Sequence, residues 1–112
     1  MTKPLLALIL ALATTAAQAE FVTSTTLSGW LDSAATTTGS FKDTTIALGY
    51  VGAVHDLLDG SEVCAPENIR GRRMLLAVRD WMKRNLVKWD DNAAVTVRSA
   101  LVELYPCPTR NP

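Results

Sequence analysis

Histidine is nearly missing from this sequence. His55 is the single one among 112 residues, so no pair of histidines stands at the spacing of a zinc site or a metalloprotease helix. Neither a G-x-S-x-G turn nor a glycine-rich phosphate loop occurs. Cysteine is limited to Cys64 and Cys107, too few to hold a metal without further ligands. Charge of either sign is not in excess, with 11 basic and 11 acidic side chains. Binding to nucleic acid or insertion at an anionic membrane surface therefore has no electrostatic drive. Beyond the N-terminus no apolar run approaches the roughly 20 residues that a membrane-spanning helix needs. These absences argue against an enzyme, a cofactor protein and a metal protein.

What is present begins at the start of the chain. Lys3 supplies a short positive segment, Leu5 to Ala13 carry no polar side chain, and Ala17-Gln18-Ala19 has the small-x-small form of a cleavage site. These are the parts of a secretory signal peptide in their usual order. The apolar run is too short to span a bilayer. An uncleaved amphipathic anchor fits poorly, because the run is apolar on every side. The expectation is a signal peptide over residues 1–19 and one mature domain over residues 20–112, exported and soluble after cleavage.

Export sets the chemistry of the cysteines. In an oxidising space an even cysteine count reads as a disulfide, and Cys64 and Cys107 allow one intramolecular pairing. Closing a loop of that length contributes roughly 4 kcal/mol on the chain-entropy model, a large share of the stability of a domain this small. A reactive thiol or a metal ligand pair is the alternative.

Four helices are legible. Leu27, Trp30 and Leu31 stand at i, i+3, i+4 and predict a short first helix, followed by a Thr-rich connector ending at Gly39. Ser40-Phe41-Lys42-Asp43 has the pattern of a helix start. Ile46, Gly49, Tyr50, Ala53, Val54 and Leu57 follow on one face, and Gly60 marks the stop. Gly49 and Gly52 lie inside this helix, each costing about 1 kcal/mol of propensity, which implies either close approach of another backbone or a kink. After a loop from Ser61 to Arg70, Met74, Leu75, Val78, Trp81, Met82 and Leu86 form the apolar stripe of a third helix over Gly71 to Leu86. Val87, Lys88 and Trp89 connect it to a fourth, Asn92 to Leu104, with Asp90 or Asp91 as its cap. Ala94, Val97, Ala100, Leu101 and Leu104 make its buried face. Tyr105-Pro106-Cys107-Pro108 ends it, and Thr109 to Pro112 read as a frayed tail. No strand is expected. Antiparallel third and fourth helices would bring Cys64 to Cys107 without distortion.

Candidate functional residues are few. His55 and Asp56 are adjacent on a helix and do not face each other by spacing alone, so His55 reads as a surface or boundary residue, with a catalytic role as the alternative. Asp56 and Asp59 sit at a helix C-terminus, where acids are mildly unfavourable. Asp59, Glu62, Glu67, Arg70, Arg72 and Arg73 place dense charge on and around the second loop. That density suits either a protein-facing patch or a solvated loop. Trp81 falls on the apolar stripe. Trp89 is either an exposed aromatic anchor or a cover for the turn between the third and fourth helices.

Three segments together carry a resemblance. They are Ile46-Ala47-Leu48-Gly49-Tyr50-Val51-Gly52-Ala53-Val54, then Val63-Cys64-Ala65-Pro66-Glu67, then Ser99-Ala100-Leu101-Val102-Glu103-Leu104-Tyr105-Pro106-Cys107. In that order the chain resembles the Rap/Tai immunity proteins, small exported helical proteins. The resemblance implies a four-helix, all-α fold and a periplasmic location. It implies a protein partner, a peptidoglycan amidase effector delivered by type VI secretion, with a homodimer in some members. It implies no enzyme activity and no cofactor. A general envelope or stress protein without a toxin partner is the alternative. Many members carry a second cysteine pair where this chain has Leu31-Asp32-Ser33 and Ile46-Ala47-Leu48, so packing alone is expected to hold the first helix.

Overall fold

A computed structural model describes residues 21–109. The signal-peptide segment 1–19 and the last residues of the predicted tail, 110–112, lie outside the described residues. Among the described residues four α-helices make the fold: α1, Ser24–Ala34; α2, Phe41–Leu58; α3, Arg72–Arg84; and α4, Ala93–Leu104. Short 3-10 turns, Glu67–Ile69 and Leu86–Lys88, sit in the two loops that flank α3. Among the described residues there is no strand, only isolated bridges at Thr23–Asn92, Asp59–Val63 and Val63–Pro106. No described helix is long and apolar enough to cross a membrane.

The caps explain where the helices begin. Ser40 Oγ accepts the Asp43 N–H at 3.2 Å, as the Ser-x-x-acid pattern predicts. Thr23 does the same for α1 through the Thr26 N–H at 3.1 Å, so this helix is longer than its apolar spacing alone suggests. On α4 the cap is Asn92, whose Oδ1 accepts the Ala94 N–H at 2.9 Å. Asp90 stands behind it and accepts the Asn92 N–H at 2.9 Å, so neither aspartate is the cap itself.

Each helix turns one stripe inward. Leu27 and Leu31 of α1, Val51 of α2, Leu75, Val78, Trp81 and Met82 of α3, and Val97 and Leu101 of α4 are all buried in one cluster. Leu86, the last position of the predicted α3 stripe, is instead 64 % exposed. The helix ends two residues before it, and the 3-10 turn swings it outward.

On α2 the buried residues are Ala47, Val51 and His55, about one position round from the predicted face. Leu57, expected inside, is 83 % exposed. The helix carries apolar residues on nearly every side, so periodicity does not choose between faces, and packing against α1 and α4 does. A Cβ placed at Gly49 or Gly52 would meet nothing within 4 Å, so neither glycine marks a close backbone approach. α2 runs unbroken through both.

Nor does packing alone hold α1. At its start, Ser24 N–H donates to the Asp91 carbonyl at 3.0 Å and Ala93 N–H donates to the Val22 carbonyl at 2.9 Å. Ser24 Oγ and Thr96 Oγ1 lie 2.7 Å apart in a buried contact, and both hydroxyls reach the Asp90 carbonyl. Near its end, Asp32 accepts from Arg79 Nε at 2.9 Å and from Lys83 Nζ at 3.1 Å. Those cations hold the Asp32 carboxyl below its usual range, Lys83 foremost. Polar contacts thus hold α1 at both of its ends.

The cystine Cys64–Cys107 joins the α2–α3 loop to the segment after α4, with the two Cα atoms 4.7 Å apart. The backbone is paired beside it: Cys64 N–H donates to the Tyr105 carbonyl at 2.8 Å. As expected, α3 and α4 are neighbours with the start of one near the end of the other.

Candidate functional site

The charged loop residues converge at the cystine end of the molecule. α2 stops at Leu58, and Gly60, at φ 80°, turns the chain back in a conformation that suits glycine. The Leu58 carbonyl then accepts from Ser61, Glu62 and Val63 N–H groups, each at 3.1 Å. Val63 is fully buried and pins the loop from below. On this frame Asp59 pairs with Arg70 at 3.3 Å, and Glu62 pairs with Arg98 of α4.

Glu67 opens the 3-10 turn. Arg72 and Arg73 form the first turn of α3, which has no side-chain cap. Both are exposed, and among the described residues neither enters an ion pair. Cations at a helix N-terminus oppose the helix dipole, so these two arginines do not serve the stability of α3.

Trp89 is not brought to this patch. α3 has 13 residues, about 20 Å of helix, and Trp89 lies beyond its far end. Its ring is half-buried against the core, and Nε1 donates to the Met82 carbonyl at 2.8 Å. Of the two roles open to it, covering the turn is the one its contacts fit. In doing so it supports its neighbours. Leu86 is 64 % and Val87 97 % exposed, side by side on the turn that Trp89 backs. Asn85 Nδ2 donates to the Trp81 carbonyl at 2.8 Å, and Lys88 N–H donates to the Asn85 carbonyl at 2.9 Å. The result is a short, braced tip carrying two exposed aliphatic side chains. Pattern reading assigned Leu86 to the stripe and Val87 to a connector. Two consecutive aliphatics in a helix–helix turn, normally polar, were the available signal.

His55 is not a surface residue. It is 2 % exposed, because the inward face of α2 passes through it. Its Nδ1 lies 3.1 Å from Asp56 Oδ1, so the adjacent pair does meet: the Asp56 side chain folds back along the helix end. Near this end of α2, Ser61 Oγ donates to the Leu58 carbonyl, and both cysteines are in the cystine. Among the described residues no group of His, Cys, Asp and Glu is arranged to hold a metal ion. A shallow apolar groove runs between α2 and α4, lined by Val54, Leu57, Leu58, Ala94, Val95 and the stem of Arg98.

A family model described as Rap1a immunity proteins matches residues 14–107. The chain belongs to that family. No curated protein and no solved structure matches it. Membership in the Rap1a immunity proteins points to a bacterial toxin protein as the partner.

Proposed function

We propose that the protein is a periplasmic immunity protein that binds and blocks a peptidoglycan amidase effector of type VI secretion. The observation that carries the reading, beside family membership, is the braced Leu86–Val87 tip. Two aliphatic side chains in water are a cost unless a partner covers them. A tip braced by hydrogen bonds loses little conformational freedom on docking. The exposed Arg72 and Arg73 on the opposite end supply forks for carboxylates on the same partner. Binding works here by covering a surface, and no group of the inhibitor needs to react.

The decisive measurement is binding to, and protection from, any toxin encoded by the adjacent gene, expected to be an amidase. Leu86→Asp and Val87→Asp are expected to weaken that binding at least about tenfold each, since burying one such side chain contributes about 1.5–3 kcal/mol. Their thermal stability should match the parent, because neither side chain is in the core. Arg72→Glu with Arg73→Glu tests the second surface in the same assay. Unchanged affinity in all three variants, or no neighbouring toxin and broad capture of unfolded clients, would rule the reading out. The location is checked by the first residue of protein recovered from the periplasm, expected to be Glu20, and a homodimer by light scattering.

A further inference from the structure

We propose that His55 is a proton-operated clasp on the cystine-anchored loop: a proton on its buried imidazole ties Asp59, and through Asp59 the loop's Arg70, to the end of α2.

The geometry is that of a chain with one link open. Asp56 Oδ1 lies 3.1 Å from His55 Nδ1. A carboxylate only accepts hydrogen bonds, so in the neutral ring Nδ1 carries the hydrogen and Nε2 presents a lone pair. That Nε2 is buried without a hydrogen-bond partner. The group it faces is Asp59 Oδ1 at 3.8 Å, another acceptor. Lone pair against carboxylate is repulsive, which accounts for the gap. Asp59 uses its other oxygen, Oδ2, for Arg70. The two contacts therefore do not compete for one atom.

Proton uptake changes one thing, the sign of Nε2. As a donor it closes on Asp59 Oδ1, and the sequence Asp56–His55–Asp59–Arg70 becomes continuous from a buried helix face to an exposed loop. Among the described residues, Asp56 and Asp59 from α2 and its cap are the charged groups within ion-pair reach of the ring, with Arg70 from the loop behind Asp59. An unpartnered buried polar atom calls for a reason, and a donor position that fills on acidification is one. Any effect on partner binding rests on the loop being partner-facing. The clasp itself is a property of the free protein.

It is tested on the purified protein by amide hydrogen exchange, as protection factors, between about pH 8 and about pH 5, where imidazoles ordinarily gain their proton. The Gly60, Ser61, Glu62, Val63 and Arg70 amides should become about threefold better protected on acidification, the scale of one half-exposed ion pair. The Lys88 and Trp89 amides, at the far end, should not. His55→Gln and Asp59→Asn should each flatten the loop response. Asp59→Asn decides alone if the buried His55→Gln variant does not fold, because the Asp59 side chain is 41 % exposed. A wild-type loop with no response, a response shared with the far end, or an undiminished response in Asp59→Asn overturns the proposal.

Discussion

Replacing Thr96 by Val should loosen α1 from the rest of the protein while leaving the core filled. Thr96 is fully buried, and Val keeps nearly its outline. What disappears is the Oγ1 atom. It accepts the Asp90 N–H at 2.9 Å, and it shares with Ser24 Oγ a pair of hydroxyl protons that serve their mutual contact and the Asp90 carbonyl. Val leaves the Asp90 N–H orphaned, a cost of about 1–2 kcal/mol for a partly buried donor, and forfeits one hydroxyl contact worth about 1 kcal/mol. The expected loss is about 2–3 kcal/mol, against a total of about 5–15 kcal/mol for a domain. Urea unfolding followed by tryptophan fluorescence reads it directly. With a slope near 1 kcal/mol/M for a chain this short, the midpoint should fall by about 2 M or more. Ser24→Ala should cost about 1 kcal/mol, and the double variant should cost less than the sum by about that much, because the two share one contact. Thr96→Ser, which keeps the hydroxyl, should lose only its methyl, about 1 kcal/mol. A Thr96→Val protein within about 0.5 kcal/mol of the parent, or strict additivity with Ser24→Ala, would refute a polar anchor for α1.

Two further outcomes follow from the cystine and from the ion pairs of Asp32. Reducing the cystine, or Cys64→Ser with Cys107→Ser, should cost up to about 4 kcal/mol on the chain-entropy model for its separation of 43 residues, while the helical circular dichroism persists at low temperature; no change in midpoint would show that the backbone pairing beside it suffices. Asp32→Asn should remove a stabilisation that is present above the ordinary carboxylate range and fades as pH falls through the depressed value of Asp32, so that parent and variant unfold alike in strong acid and differ near neutrality.

Local chemistry was the legible part of the sequence. Ser40, Gly60 and the Tyr105-Pro106 break set helix ends through backbone geometry that neighbours alone decide, and these fell where expected. The stripe of α3 was equally clear, because its polar side is densely charged. α2 offered no such contrast. With Ile46, Leu48, Val54, Leu57 and Leu58 distributed around it, the buried face is chosen by what packs against it, and that information lies in α1 and α4. His55 went astray for the same reason: its burial follows from the face. The hydroxyl anchor of α1 joins Ser24 to Thr96 across 72 positions, beyond the reach of any spacing rule. On the surface, charge density pointed to the α2–α3 loop, which does gather Asp59, Glu62 and Arg70. The Leu86–Val87 tip was hidden because Leu86 also fits the α3 stripe by spacing, and only the helix end at Arg84 turns it outward.

The position of the cystine has a consequence for survival among proteases. Cys64 and Cys107 close the polypeptide into a covalent ring that contains all of α3 and α4, and the Leu86–Val87 turn lies roughly half-way round it. That turn carries the exposed Leu86 and Val87. A single cut there would leave no loose piece: the two halves stay linked through sulfur, and the buried faces of α3 and α4 have no need to part. The protein can thus be cut between α3 and α4 and remain one molecule.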